Sequence, residues 1–243
     1  MAQRTPTSKT TSSSVRSEVA FALDWLKRHG SKAGREGMAR YGLPADRAYG
    51  VAMRDIQTLA KRFGRDHDLA AALWSTGWYE ARLLAAYVDD PERLTPAQMD
   101  RWCRDFDSWG ICDTVCFVLF DKTPHAWTMV RRWAGRRREF SKRAAFALLW
   151  GLSVHDKETA DRAFVEGLAL IERAAADDRH FVKKGVNMAL RAVGKRSPGL
   201  HAAAVTVATR LATSSQGSAQ WIGKDALREL GSSSVARRIA KRS

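Results

Sequence analysis

The stretch "VRSEVAFALDWLKRHG", residues 15–30, sets the reading of the whole chain. Val19, Leu23 and Leu26 recur at helical spacing and Gly30 supplies a stop, which predicts a helix ending there. The same grammar continues outward. "YGLPADRAYGVAMRDIQTLAKRFG", residues 41–64, reads as a loop through Pro44 and then a helix from about residue 51 that stops at Gly64. "HDLAAALWSTG" and "WYEARLLAAYVDD" read as short helices broken at Gly77. Thr95-Pro96, Thr123-Pro124 and Ser197-Pro198 each set a capping hydroxyl before a proline and a helical run. "VTVATRLA", residues 205–212, is β-branched but lies inside a longer helical pattern, and no hairpin signal occurs.

The expected fold is therefore all-α. Helices joined by short turns suggest pairs stacked side by side into a curved solenoid without a crisp repeat, whose concave face forms a groove. A compact helical bundle is the alternative. Residues 17–232 read as one helical-repeat domain with no dividing linker. The Ser/Thr-rich start, residues 1–16, reads as a flexible basic arm, and residues 233–243 as a basic tail.

Charge narrows the partner. Lys plus Arg number 41 against 26 Asp plus Glu, a formal net charge of +15. Such an excess points to a polyanion. Three clusters carry it: "RRWAGRRREFSKR" at 131–143, "RHFVKKGVNMALRAVGKR" at 179–196 with Lys183, Lys184 and Arg191, and the tail "ARRIAKRS". Basic groups interleaved with core positions suit a duplex phosphate track better than a membrane surface. No apolar run reaches the length of about 18 residues that a membrane span needs. Cys103, Cys112 and Cys116 have neither disulfide nor zinc-ligand spacing and read as reduced, buried thiols of a cytoplasmic protein. His67, His125, His155 and His180 read as surface or capping groups.

One residue breaks the apolar pattern. In "DSWGICDTVCFVLF", residues 107–120, Asp113 stands alone among apolar neighbours, one helical turn after Trp109 and on the same face. Ser108 or Asp107 can cap that helix. A buried Asp paired with an Arg is the structural reading. The functional reading is an acid with an indole wall beside it, suited to a cationic alkylpurine whose glycosidic bond is already weakened. Such a site needs neither metal nor nucleotide cofactor.

"DSWGICD", "KRAAFALLW", "DDRHFVKKGVNMALR" with the following "GKR", and "WIGKDALREL" together resemble the AlkD-type DNA alkylation repair glycosylases, from about residue 20 to 232. The resemblance implies antiparallel HEAT-like helix pairs with a concave basic groove around double-stranded DNA carrying alkylated bases. It also implies excision of positively charged N3- and N7-alkylpurines while the lesion stays stacked. Carried over by position, Trp109 matches a groove tryptophan and Asp113 the catalytic carboxylate. Arg143 matches a basic residue beside them, and Arg191 one that contacts the DNA backbone. Met188 stands where the family usually has a second groove tryptophan. That departure favours a non-catalytic binder of damaged or branched DNA as the second hypothesis; a protein-interaction scaffold is the third. A monomer is expected, cytoplasmic and nucleoid-associated when bound to DNA.

Overall fold

The computed structural model describes residues 8–241 and, among them, contains fourteen α-helices, one short 3-10 turn and no strand. None of these helices is long and apolar enough to cross a membrane. The chain divides into two compact units, residues 1–93 and 94–243. The boundary falls in a short turn before Thr95 rather than in a linker.

The first unit holds α1 (Ser8–His29), α2 (Lys32–Arg40), α3 (Met53–Phe63), α4 (His67–Ser75) and α5 (Tyr79–Val88). Residues 8–16, expected in the basic arm, form the start of α1, and residues 1–7 of that arm lie outside the described residues. Helix α4 packs on α1 and α5, and α3 packs on α5, around Leu26, Ile56, Leu59, Leu73 and Leu84. Glu80 is fully buried inside this unit. Its carboxylate accepts from the backbone N–H groups of Tyr49 at 3.0 Å and Gly50 at 2.7 Å, so the charge is held by the loop it shapes.

The second unit holds α6 (Pro96–Arg104), α7 (Trp109–Val118), the 3-10 turn Phe120–Lys122, α8 (Ala126–Trp133), α9 (Glu139–His155), α10 (Asp161–Ala174), α11 (His180–Val193), α12 (Pro198–Ala212), α13 (Gly217–Leu230) and α14 (Ser233–Ala240). Helices α7, α9, α11 and α13 pack in succession as one row. Helices α8, α10 and α12 back that row, α8 against α9 and α12 against α13. Phe120, Trp133, Phe146 and Phe164 are fully buried between these layers, each contributing about 1.5–3 kcal/mol by burial. The expected tail is helical as α14 up to Ala240, and residues 242–243 lie outside the described residues.

Two of the three hydroxyl–proline signals act as caps: Thr95 accepts from the Gln98 N–H and Ser197 from that of Leu200, both at 3.2 Å. Thr123 does not. It follows the 3-10 turn, is buried, and its hydroxyl donates back to the Phe120 carbonyl at 2.9 Å, so α8 starts after His125 without a side-chain cap.

Gly223 sets the approach of α13 to α12, because a Cβ there would lie 2.2 Å from the Ala212 nitrogen and 2.5 Å from the Ala208 carbonyl oxygen. Gly37 in α2 has nothing within 4 Å of that position. Gly223→Ala is expected to destabilise beyond the usual overpacking cost of about 1–3 kcal/mol, since backbone cannot yield as a side chain can. Gly37→Ala should stabilise by about 0.5–1 kcal/mol. Urea unfolding of both variants checks the pair.

Candidate functional site

Ser108, rather than Asp107, caps α7: its hydroxyl accepts from the Ile111 N–H at 3.4 Å. The helix starts at Trp109, and Asp113 follows one turn later. Ile111, Cys112, Val115 and Cys116 fill the opposite, buried face, and all three cysteines are free thiols. Trp109 and Asp113 are half-buried, on the side that reaches solvent.

Asp113 has a partner. Arg143 of α9 donates from Nε to Oδ1 at 2.8 Å and from Nη2 to Oδ2 at 2.6 Å, a bidentate pair. The third guanidinium nitrogen, Nη1, donates to the Phe181 carbonyl at the start of α11, at 2.7 Å. Side-chain exposure is 6% for Arg143 and 14% for Asp113, so the acid is the less enclosed of the two. Gly185 makes room for this arrangement: a Cβ there would stand 3.1 Å from the Arg143 Cγ. Burial pushes the Asp113 carboxyl above its ordinary value, opposed by the hydrogen bonds and charge of Arg143. The guanidinium, desolvated by burial, is raised in turn by the carboxylate. Both shifts leave the arginine charged, so the pair titrates through the acid.

Arg143, which the sequence reading offered both as a basic residue beside Trp109 and Asp113 and as a DNA contact, bonds Asp113. The side chain points into the seam between α7, α9 and α11, where a buried guanidinium needs the anion and carbonyl it has. Its role here is to position Asp113. The structural pairing that the sequence allowed for Asp113 is thus present.

The α11–α13 seam carries the other candidates. Arg191 pairs through Nη1 with Glu229 at 2.5 Å and reaches Asp225 at 3.7 Å, while its Nε is buried without an acceptor. Lys195 joins Glu229 at 2.6 Å, and the Asn187 amide donates to Asp225 at 2.7 Å. Lys183 and Lys184 both sit over the Trp221 ring, at 5.2 Å and 4.6 Å from its centroid. Met188 lies half-buried on the α11 stripe between Lys184 and Arg191. Trp221, Asp225 and Glu229 belong to the "WIGKDALREL" segment, but no spacing in one sequence reveals which helix they face.

Much of the first basic cluster is paired. Arg132 and Arg136 bind Asp100 at 2.8 Å and 2.7 Å, Arg131 binds Glu166 and Lys142 binds Asp177. Arg137 and Arg138 are exposed and make no ion pair among the described residues. His67 and His155, expected as surface or capping groups, each hold a buried carboxylate, Asp89 at 2.7 Å and Asp121 at 2.5 Å.

Residues 22–230 match the sequence family described as "DNA alkylation repair enzyme". No curated protein matches the chain. A solved structure described as "A new family of proteins related to the HEAT-like repeat DNA glycosylases with affinity for branched DNA structures" superposes with a TM-score of 0.72 at 20% identity, covering 88% of this chain and 96% of that one. A designed armadillo repeat protein gives a TM-score of 0.35 at 12% identity, covering 72% of this chain and 91% of that one. The first likeness shows a HEAT-like repeat fold.

The pairing of Asp113 with Arg143 makes a thermodynamic prediction. Arg143→Met keeps the stem but strands a buried carboxylate, and should cost about 3–5 kcal/mol. Adding Asp113→Leu should recover most of that loss, because removing both charges leaves no orphan. Urea unfolding of the single and double variants decides it; a loss under about 1 kcal/mol for Arg143→Met would mark the pair as surface-like.

Proposed function

We propose that this chain, which belongs to the DNA alkylation repair enzyme family, is a DNA glycosylase that releases positively charged N3- and N7-alkylpurines from duplex DNA. The observation carrying the reading is the Asp113 carboxylate, oriented by two hydrogen bonds from Arg143 and, like Trp109 one turn before it, only half-buried. In the reaction the bond between the sugar C1′ and the purine nitrogen breaks, and its electron pair leaves with the base. The base departs neutral and the positive charge passes to the sugar. Asp113 stabilises that oxocarbenium-like cation and positions the water that adds to C1′, whose surplus proton goes to solvent. The Trp109 indole favours the cationic base through its ring face. The lesion stays stacked in the duplex, in contrast to enzymes that flip their target. Lys183 and Lys184 supply phosphate contacts, and Arg191 does so by exchanging its partly exposed partner Glu229 for a phosphate.

A second reading, a non-catalytic binder of damaged or branched DNA, is favoured by Met188 and by the engagement of both Asp113 oxygens with Arg143. Release of N7-methylguanine from methylated duplex, followed by chromatography, separates the two. Asp113→Asn should lower excision by about 10²–10³, the usual cost of one transition-state stabiliser, and leave undamaged-duplex affinity within about twofold. Melting curves control for the unbalanced Arg143. Excision by wild-type protein should also fall on the acid side at a pH above the ordinary carboxylate range, because burial raises Asp113 and only its ionised form acts. Arg143→Lys, with fewer hydrogen bonds to the carboxylate, should move that limb to higher pH.

Met188→Trp tests the departure from the family pattern. Its half-buried place on the stripe of Lys184 and Arg191 leaves room for a ring facing solvent. A second indole on the cationic lesion is worth about 0.5–2 kcal/mol. Only the part that grows in the transition state accelerates the reaction, so a gain of roughly three- to tenfold is expected. A lower melting temperature with no gain in rate would remove Met188 from the site.

A further inference from the structure

In the first unit, α3 and α5 flank an open pocket of about 330 Å³ lined by Gln57, Ala60, Lys61, Gly64, Arg65 and Tyr87. Its side-chain chemistry is one-sided, with two cations, a phenol and an amide but no carboxylate. Arg65 is anchored through Nη1, which donates to the Tyr87 carbonyl at 3.2 Å and to the Asp89 carbonyl, leaving Nε and Nη2 without an acceptor among the described residues. Tyr87 accepts from the Gln57 amide at 3.0 Å, so its own O–H proton is available to a guest. Lys61 is exposed and makes no ion pair among the described residues. Gly64, at φ 70°, turns the chain at the rim, and nothing lies within 4 Å of where its Cβ would stand. The volume would hold on the order of ten waters, enough for a hydrated phosphate group.

We infer that this pocket is a phosphate site in which Lys61, Arg65 and the Tyr87 hydroxyl hold a phosphodiester of the DNA backbone. A phosphodiester offers only acceptors and one negative charge, which complements three donors and no acid. The assignment rests on the reading of the chain as a DNA-binding protein and adds to it a contact that the family resemblance did not supply.

The test uses the full chain, a labelled undamaged duplex and anisotropy titrations between about 50 and 200 mM salt. Lys61→Gln/Tyr87→Phe removes one positive charge and the phenolic donor and leaves the Arg65 anchor intact; Lys61→Glu alone reverses one charge at an exposed position. Both should melt like wild type. Both should weaken duplex binding several-fold and flatten the salt slope by about 0.9, the value of one phosphate contact. Wild-type binding with an unchanged slope in both variants overturns the site and leaves the DNA reading standing. Absence of duplex binding by wild-type protein overturns both. A site for free phosphate would show otherwise: inorganic phosphate would raise the melting temperature of wild type but not of the variants, while duplex binding stayed equal, and that result also overturns the assignment.

Discussion

Arg143 holds three helices with one guanidinium, and the arrangement of the second unit depends on that contact. Two nitrogens bind Asp113 on α7 and the third binds the Phe181 carbonyl on α11. The same residue of α11 is gripped from its other side, because the Phe181 N–H donates to Glu139 at 3.0 Å. Arg143 and Glu139 both belong to α9, so one helix fixes the first turn of its neighbour through a donor and an acceptor. α11 has no side-chain cap of its own, and Glu139 supplies the anion that the positive end of a helix favours. A charged residue so deeply placed would be costly alone, yet each charge here meets its opposite, and Gly185 leaves the stem its space.

The two arginines expected to act alike are physically different. Arg143 and Asp113 are 6% and 14% exposed, so their attraction is little screened and their exchange for other partners would strand a buried charge. Arg191 and Glu229 are 30% and 32% exposed, a regime in which an ion pair is worth about 0–1 kcal/mol. On those terms the Arg191–Glu229 pair is the easier of the two to exchange. The formal charge of +15 overstates the free cations in the same way. Asp100 and Asp177 between them engage Arg132, Arg136, Lys142 and Arg179, whereas Arg137, Arg138 and Lys184 stay exposed.

Local signals in the sequence carried the helices, because period, proline and glycine act on nearest neighbours. Gly64 and Gly77 end their helices with positive φ, and Thr95 and Ser197 cap theirs. Thr123 failed as a cap because a preceding 3-10 turn and burial redirected its hydroxyl, which are tertiary facts. Asp113 stood out for a local reason too, an acid in an apolar helix. Only the family resemblance set Arg143 beside it; spacing alone could not, since Arg143 lies thirty residues on and in a basic run where every neighbour looks equally free. The Phe181 carbonyl left no sequence mark, because every residue has one. The Trp221 platform under Lys183 and Lys184 was equally hidden, an indole that composition alone assigns to the core.

A carboxylate already paired with arginine looks a poor stabiliser of another cation, but the alternative is worse. Burial alone drives Asp113 toward its neutral acid, which offers a developing cation only a weak dipole. Arg143 counters that drive and keeps the negative charge in place. Each carboxylate oxygen has about two lone-pair directions, and the bidentate geometry with Arg143 uses one on each. The Arg143 side chain is more enclosed than that of Asp113. The pair is held in place by the protein itself, and in the proposed reaction a fixed dipole has no reorganisation to undergo as charge develops. The contact that anchors three helices is therefore also what favours the ionised form of an acid in an apolar helix, so that one position serves the fold and, in the proposed reaction, the chemistry as well.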